Sequence, residues 1–245
     1  MAPDKRSPNQ KSWPVISPRG SLSPQTYLDQ VVSEFRERLM VGELNPGHRF
    51  SLRGEADSLG VSITPVRQAV SRLEAEGALE VLPKRLTRIP NMTLKHYREL
   101  TQIRIALEGF AVLRAVEAMT AHDLGAICEA EEAFRRECLV TTPDLLASRR
   151  QNKLLHFLVY RASAMPMLVT LIENLWMRTG PTHGRRIEAD PDKLLASTLH
   201  ACMDLHRQLV AALRDGDAER ARAALVSDIQ IGAQRIEAMW FGAKS

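Results

Sequence analysis

Several features that mark secreted, membrane or enzymatic proteins are missing from this 245-residue sequence. It has three cysteines, Cys128, Cys138 and Cys202, an odd and widely spaced set that matches no metal-binding pattern. A disulfide framework and a cysteine zinc module are excluded, and all three are expected as buried free thiols of a reducing cytoplasm. No apolar run approaches the length that crosses a bilayer, and the N-terminus has no apolar signal core. A cytoplasmic protein without a membrane partner is therefore expected. Neither an H-E-x-x-H pattern nor a Gly-rich phosphate loop occurs, and no internal repeat is evident.

The net charge of +4 is small but unevenly placed. Residues 1–95 carry 14 Lys/Arg against 10 Asp/Glu, whereas residues 96–245 carry 19 of each. The whole excess lies in the N-terminal third, which is compatible with an anionic partner there.

Residues 1–24 hold five prolines and no apolar periodicity, so a disordered tail is expected. From Thr26 a helix follows the stripe Leu28, Val31, Val32, Phe35 and Leu39 and stops near Gly42. A short helix covers roughly residues 53–59. The stretch "GVSITPVRQAVSRLEAEG" then predicts a third helix, capped by Thr64, with Pro65 at its first position and Gly77 as its stop. Val66, Ala69, Val70 and Leu73 form its apolar stripe. Arg67, Gln68, Ser71 and Arg72 are left facing outward, with Arg67 in a first turn that the helix dipole makes unfavourable for a cation. "LEVL" and "TRIP" read as two strands of a hairpin around "PKRL". Helix, helix, turn, helix, hairpin is the winged helix-turn-helix order, whose second motif helix enters the major groove.

Beyond residue 96 no strand pattern appears. Helical stripes run through about 97–119, 121–139, 144–163, 165–179, 192–214 and 217–240, separated by "TAHD", "TTP", "AMP", "TGPTHG" with "EADPD", and "DGD". The expected fold class is mainly α: an N-terminal winged helix-turn-helix at 25–90, a linker at 91–95, and an all-α bundle of about six helices at 96–241.

"GELNPGHRF…EADSLGVSITPVRQAVSRLEAEGALEVL" resembles the DNA-binding domain of the GntR family of bacterial transcription regulators. The helical remainder, with "ELTQIRIALEGFAV" and "DLHRQLVAALRDGDAERARAAL", is similar to the FadR-type C-terminal (FCD) effector domain. The resemblance implies a homodimeric, ligand-responsive repressor or activator on a palindromic operator in double-stranded DNA. It also implies DNA contacts from Arg53, Ser62, Thr64 and Arg67. Two positions depart from the family pattern: Ile63 stands where Arg is usual, and Leu86 where the wing tip usually has Gly. Lys84, Arg85 and Arg88 are candidates to hold the wing on phosphates, the alternative being a solvated basic turn.

Within the helical region, Asn152 and His156 are four apart and share one face of a largely apolar helix. His206 and Asp228 lie in or beside the apolar faces of later helices, so polar side chains from three helices can converge inside the bundle. Buried polar groups need partners. In the resembled family this place holds a divalent metal, usually through an Asp and three His, and the matching positions are Asn152, His156, His206 and Asp228. Two histidines and a carboxylate make a partial shell for zinc, nickel or manganese. The alternative is a metal-free polar cluster in which Asp228 accepts from the histidines. His200 lies about 120° around its helix from His206 and is expected outside the set, and His183 is expected to be exposed.

Arg104, among Leu100, Leu107 and Ala111, is a candidate to bind an effector carboxylate, and an ion pair with Glu108 at i, i+4 is the alternative. Arg178 is a second candidate of that kind. The leading expectation is thus a regulator, not an enzyme, that senses a small organic acid, with the change transmitted near residues 90–94. A metal-free regulator of an apolar or acyl ligand, and a metal-dependent enzyme fused to a DNA-binding module, are the alternatives.

Overall fold

The computed structural model describes residues 24–83, 86–140, 144–184 and 193–242. The expected tail, Lys84, Arg85, and the breaks at 141–143 and 185–192 lie outside the described residues. The chain divides into two compact units. One comprises the described residues up to Phe35 together with Arg49–Arg88, the other Arg36–His48 and Ile89 onward. Helix α1, Pro24–Met40, contributes residues to both.

In the first unit α1 is followed by β1 (Arg49–Ser51), α2 (Leu52–Leu59), α3 (Ile63–Ala75), β2 (Glu80–Leu82) and β3 (Leu86–Arg88). Val31, Val32 and Phe35 of α1 are buried with Ala56 and Leu59 of α2 and the α3 stripe Val66, Ala69, Val70 and Leu73. Phe35 stacks on Phe50 at 5.6 Å between ring centroids. The strands form one antiparallel sheet in the order β1-β3-β2, with Phe50 and Val81 both opposite Thr87. The hairpin is as expected, and β1 adds a third strand that three residues cannot announce through alternation.

Helix α3 begins earlier than its sequence suggests. Ser62 is the N-cap, without a side-chain cap bond, so Thr64 and Pro65 lie inside the first turn. Proline is tolerated there because the first amides of a helix have no intrahelical acceptor. Gly77, at φ +71°, closes the other end: its N–H reaches Glu74 O while Ala78 N–H reaches Leu73 O.

The second unit is all α among the described residues: α4 (Leu94–Ala118), α5 (Ala121–Leu139), α6 (Leu145–Ala162), α7 (Pro166–Gly184), α8 (Lys193–Asp215) and α9 (Ala218–Phe241). Helix α9 packs along α4 and α8, and α5 along α6. Their shared core contains Val112, Ile127, Leu155, Val159, Ile172, Leu209, Leu213 and Leu225. Helix α5 opens with a capping box, Thr120 Oγ1 accepting from Asp123 N–H and Asp123 Oδ2 from Thr120 N–H at 2.8 Å.

Helix α7 runs past the break expected at residue 180 and contains Pro181. Proline removes one helical N–H, but the carbonyls of the final turn have side-chain donors. Trp240 Nε1 donates to Thr182 O at 2.7 Å, and Arg149 donates to His183 O. Gly180 lets this turn lie against the end of α1, where a Cβ would come within 2.2 Å of Leu39 O. The cysteines also differ from expectation: Cys138 is buried, while Cys128 and Cys202 are half-buried on their helices. Burial pushes the Cys138 thiol up to about 11.

Candidate nucleic-acid interface and metal centre

In the first unit one side of α3 carries a row of exposed polar residues. Its buried stripe fixes the helix's rotation, which leaves Ser62, Thr64, Arg67, Gln68 and Ser71 exposed. Arg53, exposed on α2, lines one groove with Arg67, Ser71 and Ile63 of α3 and Leu86 of the wing. Ile63 and Leu86 are 38% and 36% exposed, so both departures from the family pattern put apolar surface on this side. Arg88 is engaged within the hairpin: its Nε donates to Glu80 Oε2 at 2.9 Å.

The second unit holds a partly open cavity of about 140 Å³ whose wall includes Arg104, Asn152, His156, Trp176, His183 and Asp228. His156 comes from α6, His206 from α8 and Asp228 from α9, and their nearest ligand atoms lie within 4.8 Å of one another. The two imidazoles meet through their Nε2 atoms at 3.2 Å. Asp228 Oδ2 lies 3.4 Å from His156 Nε2 and 3.7 Å from His206 Nε2. Burial favours the neutral acid at Asp228, but the attraction of the His206 imidazole, with His156 beside it, outweighs burial and holds the carboxyl well below the usual range. Both histidines are almost completely buried. Phe134 meets the His206 ring edge-on at 4.8 Å, and Trp176 lies 5.4 Å from the His156 ring.

Donor bookkeeping at this junction does not close among the described residues. Among the described residues, His206 Nδ1 and Asp228 Oδ1 are buried without a hydrogen-bond partner. A neutral His206 that carries its proton on Nδ1 hides an N–H with no acceptor, and one that carries it on Nε2 hides a lone pair with no donor. Two facing Nε2 atoms and a carboxylate oxygen are the donor set a divalent cation takes. Asn152 lines the same cavity beside them.

Arg104 and Glu108 form the ion pair that their spacing allowed. Arg104 Nε donates to Glu108 Oε1 at 2.6 Å and Nη2 to Oε2 at 3.3 Å, a two-pronged clasp with Glu108 fully buried. The guanidinium also sits 4.9 Å above the Trp176 ring. Tyr160 donates its hydroxyl to Glu108 Oε2, and His156 Nδ1 lies 2.9 Å from that hydroxyl oxygen. Burial, reinforced by the Glu108 charge, pushes the Tyr160 phenol well above its ordinary range, so it keeps its proton.

The other expected site residues are placed as follows. Arg178 is exposed and does not line the cavity, and His200 is exposed away from the cluster. His183 is half-buried in the cavity wall rather than exposed, because α7 continues through it. Tyr160, Trp176 and Arg149 were missed. Tyr160 follows His156 by one helical turn, a spacing that carries a signal, whereas nothing local links either residue to Glu108.

Comparison with known proteins agrees with this division. Residues 28–89 match the family described as bacterial regulatory proteins, gntR family, and residues 99–230 match the FCD domain. The HTH-type transcriptional regulator McbR of Escherichia coli (strain K12) is 33% identical over 201 residues, 82% of this chain and 88% of that protein. The solved structure of E. coli McbR/YncC matches with a TM-score of 0.81 at 31% identity, over 90% of this chain and all of that one. A putative transcriptional regulator GntR from Rhodococcus sp. RHA1 has the same fold, with a TM-score of 0.70 at 18% identity over 88% and 99% of the two chains.

Proposed function

The chain belongs to the gntR family of bacterial regulatory proteins and carries an FCD domain, and from this premise we propose how a DNA-binding transcription regulator so built is controlled. In this reading it acts as a homodimer on a palindromic operator and senses a small carboxylate-bearing metabolite through a divalent metal. Arg53, Ser62, Thr64 and Arg67 meet the DNA, and their common exposure beside the buried α3 stripe supports that assignment. Lys84 and Arg85 extend the contact to phosphates from the wing.

The observation that carries the sensing function is the convergence of His156, His206 and Asp228 with two buried polar atoms left over. These three residues would hold the ion, with Asn152 adjoining. A divalent cation bound there offers Lewis acidity to the oxygens of an organic acid. Arg104 commits Nε and Nη2 to Glu108, which leaves Nη1 to pair with an effector carboxylate. The cavity volume favours a compact acid over a long acyl chain, being near the roughly 150 Å³ at which engineered cavities hold a benzene-sized ligand. Effector binding alters operator affinity only insofar as it binds the DNA-competent and incompetent states unequally.

Elemental analysis of protein purified without chelator or affinity-tag metal tests this. Near-stoichiometric zinc, nickel or manganese, lost in a His156→Ala, His206→Ala double variant, is expected. Absence of metal from the parent protein overturns the metal-bridged reading in favour of a metal-free cavity.

A further inference from the structure

Three residues beyond the metal-ligand set, Arg104, Glu108 and Tyr160, lie end to end with His156 in one buried chain of hydrogen bonds. Glu108 has only acceptors to offer, and both its oxygens are in use, Oε1 by Arg104 Nε and Oε2 by Arg104 Nη2 and the Tyr160 hydroxyl. The direction of each later bond then follows. The single Tyr160 proton goes to Glu108, so at the 2.9 Å contact with His156 Nδ1 the phenol oxygen can only accept. The proton in that contact must belong to the imidazole. A neutral His156 with a proton on Nδ1 has none on Nε2, and Nε2 is the atom that faces His206 Nε2 at 3.2 Å and Asp228 Oδ2 at 3.4 Å.

We infer that Arg104, Glu108 and Tyr160 act as a positioning relay that sets the tautomer of His156, keeping Nδ1 protonated and presenting a bare Nε2 to the junction with His206 and Asp228. The relay rests on the metal reading only for its purpose, since its geometry is complete within the chain. Each member has a distinct task. Arg104 anchors Glu108 by a two-pronged contact, Glu108 fixes the orientation of the Tyr160 O–H, and Tyr160 holds the imidazole by its far nitrogen. A carboxylate or carbonyl that orients a ligating imidazole through its second nitrogen is a common support of metal centres. Here a phenol is interposed, and the carboxylate lies 48 residues before the histidine it serves. The arrangement also gives Arg104 a part that does not depend on an effector.

The test uses full-length protein and zinc alone. Long-range ¹H–¹⁵N spectra of ¹⁵N-histidine-labelled, metal-free protein report the tautomer of each ring, and a His156→Gln sample identifies the resonances of residue 156. His156 is expected as the Nδ1–H form. Tyr160→Phe removes one oxygen from a ring that otherwise keeps its packing, and is expected to release that preference. Zinc affinity, from competition with a chelator, is expected to fall by about 10- to 100-fold in Tyr160→Phe, the range for loss of an orienting partner. Glu108→Gln is expected to fall in the same range, and combining the two changes should add little, since they act through one relay. An Nε2–H form in the parent protein overturns the inference, as does a Tyr160→Phe protein with unchanged tautomer. A parent protein that takes up no zinc but shows an Nδ1–H His156, lost in Tyr160→Phe, upholds the relay and retires only the metal reading.

Discussion

Arg67 and Arg104 each lie on a helix beside a buried apolar stripe, yet the two arginines are used in opposite ways. Arg67 is exposed on α3, one turn in from its N-terminus. Arg104 is buried on α4, clasped by Glu108 and stacked over Trp176. The α3 side chains beside Arg67 are turned outward, and in the proposed function a duplex supplies their partners. The side chains around Arg104 are hidden and matched mostly to one another, with His206 Nδ1 and Asp228 Oδ1 left over, and in the proposed function a small ligand completes them. In the first case function is visible as surface chemistry, and in the second as an incomplete internal network.

That contrast can be broken most forcibly at Glu108. Glu108→Ala leaves the Arg104 cation buried without its partner and is expected to destabilise by about 3–5 kcal/mol, read from the denaturant midpoint. Arg67→Ala should move the same midpoint by less than about 0.5 kcal/mol. Equal effects would erase the distinction between the two arginines. Zinc supplied at about 100 times its dissociation constant is expected to stabilise the parent protein by about 2.7 kcal/mol, seen as a higher Tm that EDTA reverses. The His156→Ala, His206→Ala variant should show no such shift.

On the DNA side, Arg67→Ala is expected to lose about 1–3 kcal/mol of discrimination between operator and unrelated duplex, with its oligomeric state unchanged. Operator affinity retained at moderate salt would place the reading surface elsewhere. The smallest effect sharpens the contrast from outside both sites: Thr120→Ala, which removes the α5 cap, should cost about 1 kcal/mol without altering zinc or operator binding.

What the sequence disclosed follows the same division. The α3 stripe, its glycine stop and the hairpin depend on neighbours a few residues apart, and local patterns carry them. The Arg104–Glu108 pair was legible as one of two alternatives for the same reason. Three features were not. Strand β1 is too short to alternate, and its pairing depends on β3, across α2 and α3. The last turn of α7 persists past Pro181 because Trp240 and Arg149, 58 and 34 residues away from their acceptors, satisfy its carbonyls. The Tyr160–Glu108 bond spans 52 residues, so a relay through it cannot be read from spacing. His156, His206 and Asp228 were named as candidates from a resemblance and from apolar context, and the structure brings the three together. It leaves Arg178 apart from them, because that residue emerges on the exposed side of α7.

Trp176 turns the cavity into its own optical reporter. Its indole faces the Arg104 guanidinium on one contact and the His156 imidazole on another, so its emission samples the charge and occupancy of the space between them. An ion seated on His156 or an anion drawn to Arg104 changes that local field, and the colour and yield of the fluorescence change with it. With Trp13 and Trp240 changed to Phe so that Trp176 emits alone, a library of candidate metabolites can be screened in the absence of DNA by light.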